Sequence, residues 1–221
     1  MLIRGIAVLV GLWLSAGSAY AICPYPTPKA CSAFFQSDVV FVGKVLSRQY
    51  SDKGASIRFN VKISRILRGS IGSNADVYTD NDSARLLWDI GKEYVVFAHL
   101  ENERLVSSDD CGPLSDSARV AETIRQIEKL WGETSAWIEG EIRSAQPSGP
   151  GIGNMTVRIN GKDKTYETKA DSRGLFRLRV PPGHYEVIVD PKLRTSDYNR
   201  YNLHDINLVP GQCAQLLLVP G

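Results

Sequence analysis

Apolar residues recur at every second position in several stretches of this chain, and that spacing limits its fold more than any other feature. Ile57, Phe59, Val61 and Ile63 alternate strictly with polar neighbours, the pattern of a strand with one buried and one wet face. Val39, Phe41 and Val45 lie in an apolar run that ends near Ser47. Val77, Tyr94 to Leu100 and Leu105 to Ser107 mark further strands, separated by Arg68-Gly69-Ser70, Gly72-Ser73-Asn74, Gly91 and Glu101-Asn102-Glu103. About five strands with turn-sized connections suit a small barrel or sandwich.

The period changes after Pro113. Val120, Ile124, Ile127 and Trp131 fall at i, i+4, i+7 and i+11, Ser115 or Asp116 can cap the N-terminus, and Gly132 stands where a helix stops. This predicts one amphipathic helix that closes off the open end of the β domain before it, with a domain boundary just beyond.

The second half opens with Trp137 to Ile142 and is interrupted by the stretch from Gln146 to Gly153. Met155, Val157 and Ile159 then alternate up to the hairpin signal Asn160-Gly161. An alternating strand follows the glycine-rich stretch where a phosphate loop would need a helix N-terminus. Short strands are expected at Tyr166 to Lys169, Leu175 to Val180, Tyr185 to Val189, Ile206 to Leu208 and Gln215 to Val219. No helical pattern separates them, which predicts an antiparallel sandwich. Asp171-Ser172-Arg173-Gly174 reads as a turn, with Phe176 and Tyr185 as core anchors.

At the N-terminus, Arg4, the apolar run Ile6 to Leu14 and Ala19-Tyr20-Ala21 have the order of a signal peptide over residues 1–21, with Ile22 as the mature N-terminus. The run falls short of the roughly 20 apolar residues of a membrane span. A lipid anchor on Cys23 would want a small residue in place of Ile22. The expected location is extracytoplasmic, either periplasmic or secreted. Cys23, Cys31, Cys111 and Cys213 all survive processing. An even count in an oxidising compartment favours disulfides, in any of three pairings. None of them has the close spacing of a zinc site, so no metal is expected. The formal net charge of +2 leaves no electrostatic footprint for nucleic acid or an anionic membrane.

Catalysis would need a nucleophile with a base, a carboxylate pair or a metal cluster, and no such motif is legible. Of the three histidines, His99 sits on an alternating strand, His184 in the Pro-Pro-Gly turn and His204 beside Asp205, where a triad is conceivable. The pair His204-Asp205 is read as a strand-edge hydrogen bond. Asp80-Asn81-Asp82 resembles the start of a calcium loop but lacks its glycine and closing glutamate. Asn81 and Asn154 head N-x-S/T triplets, which are glycan acceptors only in a eukaryotic secretory pathway. The candidate ligand surface is Lys192, Arg194, Tyr198, Arg200 and Tyr201, cations alternating with aromatics in a long loop between strands. An ordinary polar loop is the plainer reading.

Several blocks carry family resemblances. Cys23, Phe34-Phe35, Ser37 to Val45, Leu67-Arg68-Gly69, Gly91 to Val96 and Cys111 resemble, in order and spacing, the netrin-like module of tissue inhibitors of metalloproteinases. The resemblance implies an OB-type five-stranded barrel with one packing helix over residues 22–133. It further implies a Cys23–Cys111 bond, and with it a Cys31–Cys213 bond tying the two halves together. The inhibitors begin with a cysteine whose free amine and carbonyl chelate the protease zinc. Here Ile22 precedes Cys23, and Leu86-Leu87 stand near a cysteine of the family pattern. Ile138 to Ile142, Val157 to Ile159, Thr168 to Asp171, Gly174 to Phe176 and Pro181 to Val187 resemble the carboxypeptidase regulatory-like, transthyretin-like sandwich, over residues 134–221. That resemblance implies a non-catalytic accessory module.

The expectation is therefore a mainly-β, monomeric, exported binding protein without cofactor, recognising a protein or extracellular ligand. The alternative is a metalloproteinase inhibitor acting through the edge formed by Ile22 and Cys23.

Overall fold

The computed structural model describes residues 28–82, 87–108, 114–144, 149–188, 193–195, 203 and 205–220. The segment read as a signal peptide (residues 1–21), the Ile22–Cys23 edge and Cys111 lie outside these residues. The chain is mainly β, as expected.

The first half contains α1 (Ala30–Gln36), β1 (Val39–Ser51), β2 (Ser56–Arg68), β3 (Asn74–Asp80), β4 (Glu93–Glu101), β5 (Arg104–Ser107) and α2 (Val120–Leu130). Its strands close into a barrel in the order β1-β2-β3-β5-β4. Closure depends on β1, which pairs with β2 along its length and with β4 from Val39 to Lys44. A register shift falls between Val42 and Gly43, where the strand bends between its two partners. A Cβ on Gly43 would lie 2.5 Å from Val61 Cγ1 and 3.1 Å from Lys62 O, so a side chain there would have to push the β2 neighbour aside. A short parallel pairing of β3 with β5, Val77 opposite Leu105, completes the ring.

Alternation sends Phe41, Val45, Ile57, Phe59, Val61, Val77 and Val96 into the barrel. Trp88 joins them, its ring 5.0 Å from Phe59 and stacked 5.3 Å from Tyr94. The opposite faces of β1 and β4 are also buried. Val40, Val42, Val95 and Phe97 pack under Ala30, Ala33 and Phe34 of α1 and Ile127 of α2. Two buried faces explain why these strands read as continuous apolar runs.

The helix therefore covers the outer wall of the barrel and not its open end. Asp116 caps a 3-10 turn, Ser117–Arg119, by accepting a hydrogen bond from the Ala118 amide, and α2 follows. Ser115 is buried, donating to Val95 O. Trp131 stands one residue past the helix, 57% exposed, so the apolar stripe ends before it.

The second half contains β6 (Ala136–Ile142), β7 (Thr156–Gly161), β8 (Thr165–Lys169), β9 (Leu175–Val180), β10 (Gly183–Ile188), β11 (Leu193–Thr195), β12 (Ile206–Leu208) and β13 (Cys213–Pro220). They form two four-stranded sheets, β12-β10-β7-β8 and β11-β13-β6-β9, whose inner residues share one apolar core that includes Phe176 and Tyr185.

The expected antiparallel arrangement is corrected at one pairing: β13 runs parallel to β6, Cys213 opposite Trp137 through Leu218 opposite Ile142. The first and last strands of the half are neighbours, and the chain between them crosses to the facing sheet and back three times. The hairpin signal also shifts. Asn160 and Gly161 are the last residues of β7, and the turn proper is Lys162-Asp163, closed by the Gly161 amide donating to Lys164 O. The turn at Asp171 forms as read. Its carboxylate accepts from the Arg173 and Leu175 amides, and Gly174 takes φ +81° against Ile142 O.

Candidate recognition cleft between the two halves

The outer face of β6 and β9 is charged where their inner face is apolar. Along β6, Ala136, Ile138 and Ile142 point into the core, so Trp137, Glu139 and Glu141 point outward. Register then places Arg179 beside Trp137 and Arg177 beside Glu139 on β9, and Cys213 and Gln215 beside the same two residues on β13.

The segment entering α1 lies on this face and is held at three neighbouring positions. Cys31 is disulfide-bonded to Cys213, 182 residues later in the chain. The Lys29 amide donates to Gln215 Oε1 at 2.8 Å. Lys29 Nζ meets Glu139 Oε1 at 2.6 Å, and Arg177 Nε meets the other carboxylate oxygen at 3.3 Å. The Glu139 side chain is only 5% exposed. Two cations compensate a carboxylate that would be costly to bury alone. Elsewhere at the junction Arg179 pairs with Glu133 at 3.4 Å, and the Gly211 amide donates to Ser135 O. The bond between Cys31 and Cys213 joins the two halves, and an extracytoplasmic location is compatible with it.

Two clefts flank Lys29. One, of about 570 Å³, runs between the helices and the sheet, with Pro28, Leu114, Leu130 and Trp137 as its apolar lining and Lys129 on its wall. The other, of about 500 Å³, is bounded by Glu139, Glu141, Asp171, Arg173 and Arg177. The guanidiniums of Arg177 and Arg179 lie 5.2 and 5.8 Å from the Trp137 ring centre, within cation–π range. Around the second cleft, Asp171 is held below the usual carboxylate range. The Leu175 amide contributes most to this; burial opposes it, and the Arg173 amide and guanidinium add to the lowering. Such a carboxylate stays ionised and acts as a fixed acceptor, not as a proton donor.

Among the described residues, the carboxylate and sulfur atoms of Cys31, Glu139 and Cys213 lie within 4.8 Å of one another. Both sulfurs are committed to the disulfide, so they offer no thiolate to a metal ion.

Of the residues singled out in the sequence, Cys31 and Cys213 are brought together. Cys23, Cys111, Ile22, Lys192, Tyr198, Arg200, Tyr201 and His204 lie outside the described residues. Arg194 sits in β11 opposite Val219, in an edge strand where a loop was expected. Asp205 pairs with His184, Oδ1 to Nδ1 at 3.4 Å, with both side chains exposed. Asn81 donates to Gly54 O and its amide to Ala55 O, which ties it to the β1–β2 turn. Among the described residues, no helix is long and apolar enough to cross a membrane.

The cleft residues Lys29, Trp137, Glu139 and Arg177, and Arg179 next to them, did not stand out in the sequence. Their signal is the alternation itself: once Ile138 and Leu178 are assigned inward, their neighbours must face outward. Only strand register shows that the acid of β6 meets the base of β9.

No family model and no curated protein matches the chain. Among solved structures it is similar to the Bacillus anthracis TIE protein at 13% identity and TM-score 0.31, over 83% of this chain and 31% of that one. The chain thus spans about a third of that protein's length, and a likeness this slight carries no argument about fold or function.

Proposed function

We propose that the mature chain is an exported, monomeric, non-catalytic binding protein that recognises a protein or extracellular ligand through the cleft beside Lys29 and Trp137. In this reading the first half is a netrin-like, OB-type barrel with a packing helix, over residues 22–133. The second, residues 134–221, is a carboxypeptidase regulatory-like, transthyretin-like sandwich. The order β1-β2-β3-β5-β4 of a closed barrel and the single core shared by two four-stranded sheets support those assignments.

The observation that carries the functional reading is the junction itself. A cleft of ligand size is lined by an aromatic ring, cations and apolar side chains, and is held by a disulfide and an ion pair whose carboxylate is buried. Preorganised walls of this kind favour recognition because little has to be ordered on binding.

The test is a ligand-observed NMR screen of small acidic, neutral and basic fragments on the mature protein, run beside a broad panel of hydrolase substrates. Binding that is lost in Trp137→Ala, without turnover of any substrate, is the expected result. Turnover that a single cleft substitution abolishes would overturn the reading, and so would a screen in which nothing binds. N-terminal sequencing separates the alternative. Ile22 as the first residue removes the free cysteine amine that inhibition of a metalloproteinase would use, whereas Cys23 first would favour it.

A further inference from the structure

We infer that the cleft of about 570 Å³ selects a carboxylate-bearing ligand with an apolar body, an inference that rests on the recognition reading above. Four cations, Lys29, Arg119, Lys129 and Arg177, line this cleft against one carboxylate, Glu133. That carboxylate already meets Arg179. Lys29 and Arg177 are steered by Glu139, which is buried behind them and leaves them more than half exposed. Their ammonium and guanidinium groups are thus held at one side of the cleft and still solvent-facing, so they can take a further anion. Lys129, on α2, has no ion-pair partner among the described residues.

Pro28, Ala30, Leu114, Leu130 and Trp137 supply the remaining wall. They offer apolar area without a matching set of acceptors, so a small inorganic anion would leave that surface unused. A ligand with a charged end and a flat or aliphatic body buries it. A planar fork such as Arg177 matches the two oxygens of a carboxylate. Two sources carry this chemistry, a free organic acid and the C-terminus of a peptide ending in an apolar residue.

The experiment titrates the intact mature protein with 2-naphthoate and with 2-naphthamide, which share a body and differ in charge. The peptide acetyl-Ala-Phe is added with a free and with an amidated C-terminus. The acid is expected to bind at least about fivefold more tightly than its amide, the preference falling as salt rises. Lys129→Glu should remove most of that preference while the melting temperature stays unchanged. Lys129 lies on the helix surface, so the substitution leaves the core intact, and Lys129→Gln should fall between the two.

A free-acid peptide that outcompetes 2-naphthoate assigns the source to a chain terminus, and the reverse assigns it to a small acid; both support the inference. Equal affinity for acid and amide overturns it, as does a preference untouched by Lys129→Glu. Neutral fragments that bind the cleft while both acids fail would remove this inference and leave the recognition reading standing. If nothing binds there, both fall.

Discussion

The two halves solve the same problem, burying one face of a sheet, in opposite ways. In the first half every strand has a neighbour on each side, because β1 pairs with both β2 and β4 and the ring closes. Where its outer wall is apolar, at Val40, Val42, Val95 and Phe97, the chain's own helices cover it. The second half stays open. Its sheets end in β8, β12, β9 and β11, and the outer face of β6 carries Trp137, Glu139 and Glu141. Closure leaves the barrel little exposed chemistry near the helices, whereas the half-covered charged face next to them is where a ligand can be held. The proposed binding site at the seam lies where the finished half meets the unfinished one.

The largest expected effect tests the closed half alone. Phe59 is fully buried against Trp88 inside the barrel, so Phe59→Ala should cost about 3–5 kcal/mol. Hydrogen exchange should show the loss in β1 to β5 with β7 and β10 unaffected; a uniform loss would mean that the halves unfold as one.

The double substitution Cys31→Ser with Cys213→Ser comes next. It removes a cross-link spanning 182 residues and should cost about 2–5 kcal/mol by denaturant unfolding. Exchange should rise first in α1 and β13. Protection there that does not change would show that the bond contributes nothing to the seam.

Glu139→Gln keeps the shape of the side chain and removes the charge that Lys29 and Arg177 share. Both cations remain partly hydrated, so the expected loss is about 1 kcal/mol, well below that for a pair buried at both ends. Fragment binding in the larger cleft should weaken with it, because the two cations lose their anchor.

The smallest effect is a pH dependence. Because the folded protein holds the Asp171 carboxyl below its ordinary value, its contribution is present above the usual carboxylate range. It is lost as pH falls through the lowered value. Asp171→Asn should lower stability slightly at neutral pH, where the contribution is present, and leave it unchanged in acid, so that part of the acid-unfolding curve flattens. An unchanged curve would place the acid sensitivity elsewhere.

What the sequence discloses, and what it hides, divides along the same line. Strict alternation in β2 and the Asp171–Gly174 turn are local patterns, and they form where they were read. The length of β1 was harder to read, since Arg48, Gln49 and Tyr50 are exposed and carry no alternation. They remain a strand because β2 pairs with them as far as Ser51 opposite Ser56.

Helix α1 has seven residues and no side-chain cap, so it depends on packing and leaves no periodic trace. The parallel β6–β13 pair joins segments far apart in the chain, and no nearest-neighbour signal encodes it. Trp88 belongs to no periodic pattern in the sequence, yet it packs into the barrel between Phe59 and Tyr94. The cleft was legible only as alternation. Its meaning required the register that sets Glu139 beside Arg177 and the disulfide that lays Lys29 across both.

Chemical-shift mapping of the mature, disulfide-intact protein against acidic fragments tests the central claim most directly. The account predicts perturbations concentrated on the Trp137 indole, on the Lys129 and Arg177 amides and around Cys31, with the barrel interior silent. Shifts confined to the β1–β2 turn, or no shift anywhere, would contradict it.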